Sequence, residues 1–241
     1  MWLAKLNECV TKWLFNKKWT CTACGKEIFE DEYFCQDCLK ALPYISGSYC
    51  AHCGRQTLSA ETYCTTCKNT LTALDMGRSV FRYELPVSDL IKKLKRYEYR
   101  YLAEIFAEYL AQLYFKNFIN ADFMVFVPMT RKAEKRRGFN QSKLLAVKLS
   151  EITGIPVMSV FEKVKETKSQ KSLTRNQRLT NLDGAFNVIN KSAVENKTIV
   201  IIDDVTTTGT TAQVLAEKLK KYKASKVVLL TVASVPPVDG Y

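Results

Sequence analysis

Two adjacent carboxylates, Asp203 and Asp204, stand just ahead of a hydroxyl-rich run, Thr206, Thr207, Thr208, Gly209, Thr210 and Thr211. The hydroxyls and backbone N–H groups of such a turn, placed where a helix begins, make a site for an anion, because the helix dipole favours negative charge there. Gly209 permits a positive φ and close approach of the backbone. The carboxylates accept hydrogen bonds from sugar hydroxyls and can bind Mg²⁺. Together the two groups suit a sugar that carries a phosphate. A turn that only capped a helix needs one hydroxyl and explains neither the acid pair nor the run.

The flanking residues must hold this chemistry in place. Thr198, Ile199, Val200, Ile201 and Ile202 form a β-branched run that is too short for a buried helix and suits a buried parallel strand. After the turn, Val214, Leu215, Leu219 and Tyr222 fall at helical spacing, which predicts a helix over Ala212–Tyr222. The acids then lie at the C-terminal end of a strand, where open α/β sheets bind ligands. Further strands are expected at Phe81–Leu85, Phe123–Val127, Pro156–Val164 and Lys226–Ala233, with a short element at Ala185–Val188. Helices are expected at Val87–Tyr97 and Tyr101–Phe118, and another opens at the Arg136–Gln141 run and reaches about Thr153. Lys165–Thr180 lacks apolar periodicity and is expected to be a mobile loop.

A second constellation lies near the N-terminus. Eight of the nine cysteines form four Cys-x-x-Cys pairs: Cys21/Cys24, Cys35/Cys38, Cys50/Cys53 and Cys64/Cys67. A pair on a turn presents two thiolates to one ion, and two pairs complete a tetrahedral site. The repeated spacing predicts two tandem zinc ribbons with two structural zinc ions. One is held by Cys21, Cys24, Cys35 and Cys38, the other by Cys50, Cys53, Cys64 and Cys67; a cross-braced pairing is the alternative. Regular spacing of this kind fits metal better than a thioredoxin-like redox pair. His52, the only histidine, lies inside a cysteine pair and would duplicate a complete ligand set, so it is expected outside the coordination shell. Cys9 is expected as a small buried apolar residue.

At 241 residues the chain is long enough for two domains, expected at 1–72 (zinc ribbons with a lead helix over residues 1–16) and 73–241. The lead is expected to pack on the ribbons or to serve as a docking helix. The net charge of +12 is uneven: residues 129–180 hold 13 basic and 4 acidic side chains, a balance of +9. Such concentration points to a polyanion partner. Arg136, Arg137, Asn140 and Lys171 are the candidate nucleic-acid contacts, with a solvated basic face as the alternative reading. Tyr97, Tyr99 and Tyr101 alternate with Lys95, Arg96 and Arg100, a pattern that suits either base stacking or helix packing. Lys5, Glu8 and Lys12 interrupt the first apolar residues, so no signal peptide is expected. No apolar run approaches the roughly 18 residues of a membrane span, so no membrane insertion and a cytoplasmic location are expected. Nine cysteines in that compartment argue for metal over disulfides.

The Lys197–Thr211 stretch, KTIVIIDDVTTTGTT, resembles the 5-phosphoribosyl-1-pyrophosphate (PRPP) motif of type I phosphoribosyltransferases. The resemblance implies an α/β fold, a type I phosphoribosyltransferase-like parallel sheet flanked by helices, following the double zinc ribbon. It implies that Asp203 and Asp204 hold the ribose hydroxyls and that Thr206, Thr207, Thr208, Gly209 and Thr210 hold the 5-phosphate. A loop with Thr130, Arg131 and Lys132 would hold the pyrophosphate, and a closing loop would bring Lys171, Arg175 and Arg178 over it, with Mg²⁺ bound alongside PRPP. Some members carry an acid inside the phosphate loop that can act as a base. Thr206 and Thr207 stand there in this chain, so no catalytic residue is assigned. The joint pattern of paired cysteines, RRGFNQ, KSLTRNQRLTN and the PRPP motif resembles the ComF family from about Cys21 to Ala233. That resemblance implies a role in natural competence, handling incoming single-stranded DNA together with the helicase-like ATPase ComFA. Two classes of function follow: a DNA-handling module that keeps a phosphoribosyl pocket, or an active phosphoribosyltransferase with an unknown acceptor. Pyrophosphate release in the presence of PRPP, nucleobases and DNA separates them.

Overall fold

The computed structural model describes residues 20–29, 32–57, 62–68, 72–166, 182 and 184–236. The expected lead helix, Cys9, Lys171, Arg175 and Arg178 lie outside them. The chain divides into two compact units, Met1–Leu42 and Pro43–Tyr241. In the first, a Cys21–Gly25 turn returns the chain so that Thr20 pairs with Glu27, and helix α1 (Gln36–Lys40) follows Cys35. The second unit holds both the other cysteine set, whose last member Cys67 lies on the short helix α2 (Thr65–Lys68), and the sheet.

Four parallel strands form that sheet in the order β1 (Met76–Arg82), β6 (Lys226–Ser234), β5 (Thr198–Thr206), β2 (Phe123–Phe126). Ile199–Ile202 are all fully buried, as expected of a strand covered on both faces. One face, carrying Ile199, Ile201, Val227 and Leu229, packs on helix α7 (Thr210–Lys221) and on a two-stranded antiparallel sheet of β3 (Phe161–Lys163) and β4 (Phe186–Val188). Helices α4 (Leu102–Lys116) and α6 (Gln141–Thr153) pack on each other and on the strands, α4 on β1 and β6, α6 on β5 and β2. Helix α3 (Val87–Leu94) and a 3-10 turn, Tyr97–Tyr99, lead into α4.

Three segments differ from expectation. The first strand is Met76–Arg82, earlier than Phe81–Leu85. Gly77 and Ser79 disguise it, because their value lies in tertiary partners: Ser79 Oγ bonds Thr231 Oγ1 at 2.7 Å on β6. Pro156–Val164 is not one strand. Val157 makes a single parallel bridge to Met124, and the chain then turns into β3, which pairs antiparallel with β4. The basic run RKAEKRR is itself a helix, α5 (Arg131–Arg137), rather than a loop. Thr130 Oγ1 caps it by accepting from Ala133 N–H at 3.2 Å, and Gly138 ends it with φ 88°.

The outer edge of β1 is covered by two short segments. Ile45 N–H and Val80 O are joined at 3.0 Å, and Arg82 N–H and Pro43 O at 2.8 Å. Farther down, Gly54 of the second cysteine turn bridges to Arg78. Glycine is required on both sides of that contact. A Cβ on Gly77 would lie 2.6 Å from the backbone of His52 and Cys53, and one on Gly54 would lie 2.6 Å from the backbone of Arg78. An edge strand is thereby closed to further pairing along that stretch.

Candidate functional site

Strand β5 is longer than β2. The β2 ladder ends at Phe126 opposite Ile202, whereas β6 continues beside β5 to Thr206 opposite Ser234. Asp203 and Asp204 therefore emerge where β5 has lost one neighbour and kept the other. The strand then gives way to a Thr207–Gly209 bend, and α7 begins at Thr210. Gly209 takes φ 76°, and a Cβ there would meet open space, so the glycine answers a conformational need rather than a steric one. Thr206 and Thr210 are buried, and the hydroxyls of Thr208 and Thr210 share a 2.7 Å hydrogen bond. The exposed part of the turn is thus narrower than the run of threonines: Thr207 at the surface, Thr208 and Gly209 half-buried.

Residues far apart in sequence converge on the acids. Ser142 Oγ, in the first turn of α6, donates to Asp203 Oδ1 at 2.7 Å. Lys95 Nζ, just past α3, lies 2.9 Å from Asp204 Oδ2, and the Asp204 side chain is only 8% exposed. Burial pushes the Asp203 carboxyl up to about 8; the charge on Asp204 adds to this, and the Ser142 hydrogen bond works against it. Burial also works against the Lys95 ammonium, but the two carboxylates outweigh it and hold Lys95 above its usual value. Lys163, at the end of β3, is held below its usual value by burial, which the charges of Glu166 and Asp203 only partly offset. Thr130 Oγ1 donates to Glu166 at 3.1 Å. Three carboxylates, two lysines and two hydroxyls thus meet at the C-terminal edge of the sheet, beside a helix start with amide groups to offer. Neither Lys95 nor Ser142 stands out in the sequence as a site residue. Lys95 carries only the alternation with Tyr97, Tyr99 and Tyr101, and Ser142 only its place at the start of the helix after RRGFNQ.

The basic segment is only partly what its composition implies. Arg131, Lys132, Lys135 and Arg136 are exposed on α5. Arg137 instead turns inward, bonding Gln141 Oε1 and approaching Met129 Sδ at 3.8 Å. Asn140, expected to touch nucleic acid, is 4% exposed and makes three hydrogen bonds within the protein. Its Oδ1 accepts from Ser142 N–H (2.9 Å) and Lys143 N–H (3.2 Å), and its Nδ2 donates to Val127 O at 3.0 Å. It caps α6 and ties that helix to the end of β2, which is what a buried asparagine needs. Beside α5, Tyr97 is exposed with Arg100 stacked 3.7 Å over its ring, and Phe139 lies 5.9 Å from the same guanidinium.

Both cysteine quartets form within consecutive pairs. Cys21, Cys24, Cys35 and Cys38 gather in one place and Cys50, Cys53, Cys64 and Cys67 in another, each set with all sulfurs within 4.8 Å of one another. This is the sequential pairing. Cys24 and Cys35 sulfurs are 3.8 Å apart and Cys53 and Cys64 sulfurs 3.7 Å. Disulfide sulfurs lie about 2.05 Å apart, whereas the edge of a tetrahedron with metal–sulfur bonds of about 2.3 Å is roughly 3.8 Å. The donor sets fit zinc. Burial raises the Cys21 thiol, but nearby backbone N–H groups outweigh it and lower it to about 6. Cys50 is lowered to about 5, chiefly by its hydrogen bond with Cys53. His52 is not a ligand: its Nδ1 lies 3.1 Å from Leu74 O and its ring stacks on Tyr63.

A family model for the phosphoribosyl transferase domain matches residues 97–237, and one for a double zinc ribbon domain matches residues 10–68. The chain belongs to the ComF family of phosphoribosyl transferase domain proteins. DNA utilization protein YhgH of Salmonella typhi is 34% identical over 159 residues, covering 62% of this chain and 67% of that one. Competence protein ComFC of Bacillus subtilis is 33% identical over 164 residues, 66% of this chain and 64% of that one. Competence protein F of Haemophilus influenzae is 32% identical over 103 residues, 42% of this chain, and the match spans 45% of that protein. Both matched domains have their counterpart in the fold: two cysteine quartets within residues 21–67 and, later in the chain, a parallel sheet with flanking helices. Among the described residues, no helix is long and apolar enough to cross a membrane.

Proposed function

We propose that this chain handles incoming single-stranded DNA during natural transformation, in the cytoplasm and alongside the helicase-like ATPase ComFA, and that its sheet edge binds PRPP with Mg²⁺. One observation carries the pocket: Asp203 and Asp204 emerge past the end of β2, directly before the Thr207–Gly209 bend and the start of α7. In this reading the acids take the ribose hydroxyls and Mg²⁺ neutralises the pyrophosphate. The Thr206–Thr210 segment takes the 5-phosphate through its amides and the accessible hydroxyls. Arg131 and Lys132 begin α5 next to that edge and face the pyrophosphate; Arg175 and Arg178 are assigned there on the family resemblance. A ribose diol must displace Lys95 from Asp204 or share the carboxylate with it.

The names of relatives, competence and DNA utilization, support the DNA half. So does the surface beside α5, where four exposed cations adjoin the Tyr97–Arg100 stack. Cations follow a phosphate backbone and an exposed aromatic ring accepts an unpaired base. The test is calorimetry with PRPP and Mg²⁺ on the zinc-loaded protein, followed by incubation with nucleobases and single-stranded DNA under a pyrophosphate assay. PRPP is expected to bind, the double variant Asp203→Asn/Asp204→Asn to lose it, and no pyrophosphate to appear. Absence of PRPP binding to the wild type removes the pocket assignment, and steady pyrophosphate release replaces the binding role with an enzymatic one.

A further inference from the structure

Arg55 lies between the second cysteine quartet and the phosphate turn. It is 4% exposed. Its Nε donates to Cys53 Sγ at 3.4 Å and its Nη2 to Cys64 Sγ at 3.4 Å. Its Nη1 donates to the carbonyl of Thr207 at 3.2 Å, 152 residues away in the chain. A buried guanidinium is always charged and needs acceptors. Here it finds them in two sulfurs that carry negative charge when metal is bound, and in one backbone oxygen of the turn.

We infer that Arg55 is a positioning residue, through which the second zinc site sets the conformation of the phosphate turn; this rests on the reading that the turn receives a phosphate. The physical link is the peptide plane. The Thr207 carbonyl and the Thr208 N–H belong to one trans peptide and point in opposite directions. A guanidinium that fixes the carbonyl toward the ribbon fixes that N–H away from it. An anion-binding turn works by holding N–H groups in place before the ligand arrives. Gln213, on the first turns of α7, adds a second tie on the same side. Its Oε1 accepts from Thr72 Oγ1 at 2.7 Å and from Ala73 N–H at 3.1 Å. The Gly54–Gly77 contact brings the ribbon backbone onto the sheet, so Arg55 reaches the turn from a fixed base. Arginine suits the task because its planar fork reaches two sulfurs and an oxygen at once, which a lysine ammonium on a flexible stem does not hold in one geometry.

The test uses the full chain loaded with zinc, as wild type, Arg55→Met and Arg55→Lys, with metal content measured for each. Amide hydrogen exchange over residues 206–210 is the readout that does not depend on any ligand. Arg55→Met is expected to keep two zinc ions and to exchange about 10-fold faster or more in that turn, with β6 unchanged; Arg55→Lys is expected to fall between. PRPP with Mg²⁺ is the binding probe, and its affinity is expected to drop about 10- to 100-fold in Arg55→Met, the range of a lost charged hydrogen bond. Unchanged exchange in a zinc-loaded variant overturns the inference. If Arg55→Met does not fold, Arg55→Lys decides by the same readout. If the wild type itself fails to bind PRPP, the pocket reading has failed, and the exchange data still decide whether Arg55 holds the turn.

Discussion

Asp203 and Asp204 are neighbours in sequence and live in different electrostatic settings. Asp204 faces the Lys95 ammonium at 2.9 Å, while Asp203 has a hydroxyl partner and a carboxyl raised to about 8. The sign of the consequence follows from linkage. Folding raises the Asp203 value from the ordinary carboxylate range, so between there and about 8 the folded state binds more protons than the unfolded one, and stability falls as pH rises through that window. Asp203→Asn removes this dependence. The difference in melting temperature between Asp203→Asn and the ligand-free wild type is therefore expected to be larger at pH 8.5 than at pH 6, with the variant gaining at the higher pH. A difference independent of pH sinks the assignment of a raised Asp203. Subtracting the variant from the wild type cancels the general charge effects of a chain at net +12.

At the scale of elements, the short helices and turns are fixed by identifiable caps, and the ribbon is fixed to the sheet by glycine. Thr130 and Asn140 start α5 and α6, and Gly138 and Gly154 end them with φ of 88° and 75°. Asn140 thus belongs to the architecture that carries Ser142 to Asp203. Gly77 has a different role, since its missing side chain lets the Cys50–Cys53 turn lie directly on β1. Gly77→Ala puts a methyl 2.6 Å from backbone atoms that cannot rotate away. The variant is expected to lose about 1–3 kcal/mol. Denaturant unfolding of the zinc-loaded protein measures this, and the loss should come with weaker zinc retention at one of the two sites. Gly25→Ala is the control: its Cβ meets nothing within 4 Å, although φ 76° still costs something.

At the scale of the whole molecule, most of the charge excess lies in residues 129–180, and among the described residues four of its exposed cations line the outer surface of α5. A single strand that follows this surface releases counterions, so its affinity should fall with salt at a log–log slope of about −0.7 per phosphate neutralised. Replacing Lys132, Lys135 and Arg136 by Ala is expected to flatten that slope by roughly two units. Sequence preference should stay small, because phosphate contacts carry no base information. Arg137→Ala should affect stability more than the slope, as its guanidinium is turned onto Gln141. Binding that is weak and indifferent to salt makes α5 a solvated face. Fluorescence anisotropy over a salt series distinguishes these.

What the sequence determined by itself is the chemistry carried by neighbours along the chain. A Cys-x-x-Cys pair is a local object, and two of them at a ten-residue gap predict a quartet without knowledge of the rest. The same holds for a β-branched strand that runs into two acids, a threonine–glycine turn and a helix, since every part lies within one β–turn–α unit. Tertiary structure decided the rest, because those contacts join residues with no local relation. Lys95, Ser142 and Arg55 acquire their roles only when β5 is laid between β2 and β6 and the ribbon is laid on β1. It also decided which polar residues of the basic segment face solvent: a composition count cannot distinguish Arg136, which is exposed, from Asn140, which is buried with its amide oxygen holding a helix cap and its amide nitrogen bonded to Val127 O. The physical reason is the same in both cases. Local spacing fixes which groups share a turn, but burial and hydrogen-bond satisfaction are properties of the packed chain, and they determine which of those groups remain available to a ligand.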